Sequence, residues 1–321
     1  MIRKLHAGLG IPVEVLLQEP GAEDVPDLVY DPRDYPFTEL FNKGFLPGVP
    51  AGAPAGTPAT LKEAKQRAEQ LLRDLLAVLG QAPPQPVLCR RSARQPDLYA
   101  LQAWQARVLG LAREWEEKYT LPDYNPDYLT EDALRALAQQ SRFSAGPENA
   151  REQLHQWGIH LVVLEHLDHT YLDGAAFIAP WGRPVVGLTL RHDRLDNFWF
   201  TLMHELAHVK LHLGDNGLAF FDDTDSPRSA DEAPREAEAN AFAQRILIPS
   251  EVWEQEKARL LDAIDEAGVL SLADRLQVSP AIVAGQLRYA GNNTRIHGSL
   301  VGRNLVREKF PEYKLTPPAT E

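Results

Sequence analysis

Two histidines and a glutamate stand as His204-Glu205-Leu206-Ala207-His208, an H-E-x-x-H spacing, inside the run DNFWFTLMHELAHVKLHL at 196–213. On a helix turning roughly 100° per residue, His204 and His208 fall within roughly 40° of each other, and Glu205 stands beside them. Phe198, Leu202, Leu206, Val209 and Leu213 form a separate apolar stripe, so one face packs and the other carries chemistry. Two imidazoles at this spacing can share one Zn²⁺, and the intervening carboxylate can act as general base on a water activated there. The competing reading is a buried helix whose histidines only satisfy hydrogen bonds; the strong amphipathic pattern weighs against it. His212, one turn further along the same face, is expected beside the site rather than as a ligand.

A catalytic zinc centre of this type takes a third protein ligand. Cys89 is the only cysteine, so a cysteine-rich site and an intrachain disulfide are both excluded, and carboxylates become the candidates. The helical run REAEANAFAQRILI at 235–248, opened by Pro234 and stopped by Pro249, offers two. Glu236 shares a face with Ala239, Asn240, Ala243 and Leu247, small enough on average for a partner helix to come close, and Asn240 one turn later can orient an imidazole. Glu238 shares its face with Phe242 and Arg245, a more exposed side. Glu236 is preferred and Glu238 remains the alternative. The group that stabilises a developing oxyanion is not singled out by spacing; His169, Tyr171, Tyr289 and His297 are candidates.

These helices need a frame. IHLVVLE at 159–165 reads as a strand, and GAAFIAPWGRPVVGLTL at 174–190 as a hairpin around Pro180-Trp181-Gly182-Arg183, with one of its strands a candidate edge for binding an extended peptide. Helices are predicted at 61–79, 97–119, 130–140, with Thr130 as N-cap, and 147–157. The loop GDNGLAFFDDTDSPRSADEAP at 214–234 is long and acidic, lacks calcium-loop spacing, and reads as a lid or a solvated segment. After a charged helix at 251–268, SLADRLQVSPAIVAGQLRYAG forms a helix-turn-helix-like pair.

The fold class that follows is α+β: a small zincin-like domain, a short sheet plus the H-E-x-x-H helix, with mainly helical regions on both sides. The expected divisions are a helical segment at 1–50, a Pro-Gly-Ala linker at 51–60, a helical region at 61–128, the zincin-like domain at 129–255 and a helical, helix-turn-helix-like region at 256–321. At 321 residues with 44% hydrophobic composition, a substantial core is available, and no apolar run is long enough to span a bilayer. The N-terminus lacks a signal peptide's apolar core, which with the single cysteine points to the cytoplasm. A net charge of −12 excludes a surface that is basic throughout, so DNA contact would be confined to the basic excess of Arg288, Arg295, Arg303, Arg307, Lys309 and Lys314.

The pair RHDRLDNFWFTLMHELAHVKLH and EAEANAFAQRILIP resembles the two signatures of the ImmA/IrrE metallopeptidases. The resemblance covers about 130–248, and residues 272–310 are similar to the extension of members joined to HigA-like antitoxin domains. IRKLHAGLGIPVEVLLQ at the N-terminus resembles the end of a HigA-type helix-turn-helix domain; only that end is recognisable, which weakens any expectation of autonomous promoter binding. The resemblance implies a zincin fold, Zn²⁺ held by His204, His208 and Glu236, with Glu236 matching the family's Glu-x-x-Ala-Asn signature, and Glu205 as the base. It also implies a protein substrate, a helix-turn-helix repressor or antitoxin cleaved in a stress or mobile-element response. A different class of function, a non-catalytic transcriptional regulator or antitoxin-like binding protein using the zincin domain as a sensor, predicts binding without turnover.

Overall fold

In the computed structural model, which describes residues 31–46, 60–80, 88–89, 96–213, 220–222, 233–263, 265–293 and 295–311, the first half of the chain is helical. It runs through α1 (Phe37–Asn42), α2 (Leu61–Gln66), α3 (Ala68–Leu76), the short β1 (Leu88–Cys89), α4 (Leu98–Glu116), α5 (Glu131–Ala138) and α6 (Gly146–Gln156). Then come β2 (His160–Val163), β3 (Gly174–Ile178), β4 (Pro184–Leu188), α7 (Leu195–Leu211), β5 (Phe220–Asp222), α8 (Ala233–Leu247), α9 (Ser250–Ala263), α10 (Glu266–Leu276) and α11 (Pro280–Ala290). The fold is α+β. The N-terminal hairpin, the Pro-Gly-Ala linker and most of the acidic loop lie outside the described residues.

The sequence predicts most of these elements, and local chemistry explains their ends. Thr130 caps α5 by accepting from Ala133 N, and Asp97 caps α4 through Tyr99 N and Ala100 N. The single helix expected over 61–79 is broken at Arg67, whose φ of −115° and ψ of 18° leave the helical region. Its first piece still starts with a capping box between Thr60 and Glu63.

The sheet has the order β1-β5-β3-β4-β2. β3 and β4 form the predicted antiparallel hairpin, and β2 runs parallel to β4. The hairpin, a candidate open edge from the sequence, is closed over part of its length. β5, from within the acidic loop, pairs antiparallel with Gly174, Ala175 and Ala176, so β3 is bonded on both sides over that stretch. A three-residue strand flanked by acidic turn-formers carries too little alternating pattern to be read in advance.

Every residue of β4 is buried, because helices cover both faces of the sheet. On one face Val186 and Leu188 of β4 and Ala176 of β3 join the main core with Phe198, Leu202 and Leu206 of α7. On the other, α4 lays Trp104 against Gly187: a Cβ added there would stand 2.6 Å from Trp104 Cη2. The helix pair α10–α11 has the local form expected, with Gln277 left-handed at the turn and Ser279 capping α11. However, α11 packs against α7 and buries Ile282, Val283, Ala284 and Leu287. The helix that a helix-turn-helix would lay in a DNA groove therefore serves here as a wall of the core.

Gly187→Ala forces Trp104 aside in a fully packed layer and should destabilise the protein by about 1–3 kcal/mol. A denaturation midpoint equal to that of the wild type would show that the α4 layer yields without cost.

Candidate metal centre

α7 lies under β3 and β4 because the strand facing it carries almost no side chain. Gly174 and Ala176 of β3 point toward the helix, in register with Leu188 and Val186 of β4. At Gly174 the approach is at its limit: a Cβ would lie 2.6 Å from Glu205 Oε1 and 2.7 Å from Thr201 Cγ2. The neighbouring Asp173 is held by a two-pronged ion pair with Arg191, at 3.1 and 3.0 Å, which ties the ends of the hairpin together beside Glu205.

α8 packs on the other flank of α7, where Ala239 and Ala243 are fully buried. Their small size lets Glu236 come within reach of both histidines. Ligand atoms of His204, His208 and Glu236 all lie within 4.8 Å of one another. His204 Nε2 and His208 Nε2 are 3.0 Å apart. The Glu236 carboxylate places Oε2 3.4 Å from the first and Oε1 3.2 Å from the second. Both rings are 0% exposed and Glu236 is 5% exposed. Burial pushes the Glu236 carboxyl up, but hydrogen bonds and charge from His204 and His208, when those rings hold an inward proton, outweigh it and hold the group well below the usual carboxylate range.

The outer nitrogens of the rings define the protons. His204 Nδ1 lies 2.9 Å from Asn240 Oδ1, an acceptor, so Nδ1 carries hydrogen and the Nε2 lone pair points inward. His208 Nδ1 lies 2.8 Å from His212 Nδ1, and His212 Nε2 lies 3.1 Å from Glu238 Oε2. The consistent assignment is a chain: His208 Nδ1–H donates to His212, and His212 Nε2–H donates to Glu238. Both Nε2 atoms then face one another as acceptors beside a carboxylate, an arrangement stable only across a shared proton or a cation. Two nitrogens and one oxygen on adjacent helices form a donor set suited to Zn²⁺.

The structure thus brings His204, His208 and Glu236 together, with Glu205, also 0% exposed, on the same helix against β3. Glu238, the alternative ligand, instead reaches the centre at second hand through His212, and its side chain is 58% exposed. Asn240 and His212 stand against the outer ring nitrogens of His204 and His208, beside the converging groups as the sequence suggests, but the sequence reading missed the Glu238–His212–His208 chain. The i,i+4 spacing of His208 and His212 was its available signal. His169 and Tyr171 stand side by side with left-handed backbones, Tyr289 is exposed, and His297 is buried.

Residues 158–288, the stretch that carries His204, Glu205, His208, Glu236 and Asn240, match the family model described as the IrrE N-terminal-like domain, a metallopeptidase family. No match was found among curated proteins. Among the described residues, no helix is long and apolar enough to cross a membrane.

Two substitutions on α8 separate ligand from neighbour. Glu236→Ala should weaken zinc affinity by about 100-fold or more, whereas Glu238→Ala, which removes only an exposed outer partner, should cost less than about tenfold. Competition against a zinc chelator gives both values, and the reverse ranking would transfer the ligand role to Glu238.

Proposed function

We propose that this protein is a zinc-dependent endopeptidase, with His204, His208 and Glu236 as metal ligands and Glu205 as general base. The observation that carries this reading is the convergence of two inward-facing imidazole nitrogens and a carboxylate in a buried volume, with a second buried carboxylate, Glu205, on the same turn. Zn²⁺ held by that set would supply Lewis acidity toward a peptide carbonyl and lower the pKa of water.

The chain's own groups carry the protons. Glu205 takes a proton from the attacking water on its carboxylate and gives it to the departing amine nitrogen, so it ends the cycle ionised as it began. The β3 backbone at Gly174 restricts where that carboxylate can swing. Asn240 fixes the His204 ring by accepting from Nδ1, and His212, braced by Glu238, does the same for His208.

The substrate class we propose is a helix-turn-helix repressor or antitoxin, cleaved in a stress or mobile-element response in the cytoplasm. Support for it is the resemblance of the two signatures together with the family match over 158–288. Incubating the zinc-loaded protein with the repressor or antitoxin encoded beside it, and reading fragments by mass spectrometry, tests this. Cleavage blocked by chelation is expected; stable binding without fragments would favour the non-catalytic regulator.

Glu205→Gln preserves shape and removes the base, so zinc content should stay at the wild-type level while turnover falls by about 10²-fold or more. Wild-type turnover in this variant would remove Glu205 from the mechanism. Gly174→Ala should give a similar split, metal retained and kcat lowered, because the added methyl displaces the Glu205 carboxylate; unchanged kcat would show that the close approach has no catalytic consequence.

A further inference from the structure

Behind His204, on the Nδ1 side of the ring and away from the three converging ligand atoms, lies a cavity of about 590 Å³ bounded by α7, α8 and α11. It shares a wall with the metal centre, since Asn240 and Phe200 line it and both adjoin His204. Its volume is that of a small-molecule site, and its walls have the usual mixture for one: Phe200, Leu247 and Ile282 against a few polar groups.

The charged groups in that wall do not balance. Arg194 is matched by Asp196 through two bonds of 2.9 Å each. Asp196 is pressed against Gly285 of α11, where a Cβ would stand 2.7 Å from the Asp196 Cβ, so this pair is locked in place. Arg288 has no such match. It is 6% exposed, its Nη1 is shielded from solvent without a hydrogen-bond partner, and among the described residues it forms no ion pair. An arginine does not discharge to escape burial, so it brings a permanent positive charge to a cavity in a protein whose formal charge is −12. Burial and the charge of Arg194, with a smaller push from Arg303, outweigh the opposing pull of Asp196, which is already bonded to Arg194, and lower its proton affinity from the ordinary arginine value. A buried, unmatched guanidinium costs free energy that a bound anion would offset, and its planar donors suit a two-oxygen acceptor.

We propose that this cavity is a second ligand site, which takes a small molecule through an oxyanion, carboxylate or phosphate, held by Arg288. The exposed Tyr289 at its rim and the apolar wall of Phe200, Leu247 and Ile282 would receive the rest of the molecule. The inference does not depend on peptide cleavage.

The test titrates the purified full chain with glutarate, with inorganic phosphate and with neutral glutaramide, following arginine Nε–H signals by NMR and the Tm in parallel. One of the two anions should saturate an arginine signal with a midpoint below about 10 mM, the weak end of small-anion recognition, and raise the Tm, while glutaramide does neither. The two anion arms identify which source of the oxyanion the site takes. Arg288→Gln should weaken that binding by about tenfold or more, and Arg288→Lys should recover part of it. The wild-type titration stands by itself should Arg288→Gln fail to fold. Absence of saturation by both anions, an equal response to glutaramide, or undiminished binding in a folded Arg288→Gln would overturn the proposal; the last would point to the metal centre as the binding place.

Discussion

Two imidazoles and a carboxylate, brought within 4.8 Å of one another in a buried interior, must replace the hydration that each has lost. Much of the surrounding architecture can be understood as meeting that demand. The small residues Gly174 and Ala176 on β3, and Ala239 and Ala243 on α8, let a strand and a helix close on α7 from two sides. That closeness makes the groups converge, and it also buries them. With the Nε2 lone pairs turned inward by outer hydrogen bonds, the interior is electron-rich. A divalent cation is the partner that suits it, and in its absence a shared proton must serve.

The outer hydrogen bonds differ between the two rings in a way that has physical content. His204 is held by Asn240, a neutral acceptor that fixes the tautomer without adding charge. His208 is held by a second imidazole that leads to the exposed carboxylate of Glu238, so its environment is connected to solvent. One ring is therefore anchored in the core and the other at the surface, and the helix carrying both is fixed at its beginning by the Arg194–Asp196 pair and by backbone bonds from Leu195 to Val301 and Gly302. The C-terminal segment thereby becomes part of the support of the centre, although it contributes none of the three converging ligand atoms.

What was legible in advance follows from the range of the interactions concerned. Periodicity on α7, the stop signals around α8 and the capping residues Asp97 and Thr130 are local, so the helices and the hairpin could be read directly. The convergence of Glu236 with the two histidines was readable as a preference because small residues on its face signal a close partner. Less legible were contacts that depend on distant segments meeting: β5 bonding to the first half of β3, Gly174 abutting Glu205, and the use of α11 as a wall of the core rather than an exposed recognition helix. Arg288 shows the same limit, since it stands in a run of basic residues that suggests phosphate contact at a surface. Only the packing of α11 on α7 makes it a buried cation beside a cavity.

The central claim is that His204, His208 and Glu236 jointly hold one zinc ion. X-ray absorption at the zinc edge, on protein whose metal content has been counted, addresses it most directly. The account predicts one zinc per chain with two imidazole nitrogens at about 2.0–2.1 Å and the remaining ligands oxygen. A substoichiometric metal lost on desalting, or a coordination shell without imidazole scattering, would contradict it.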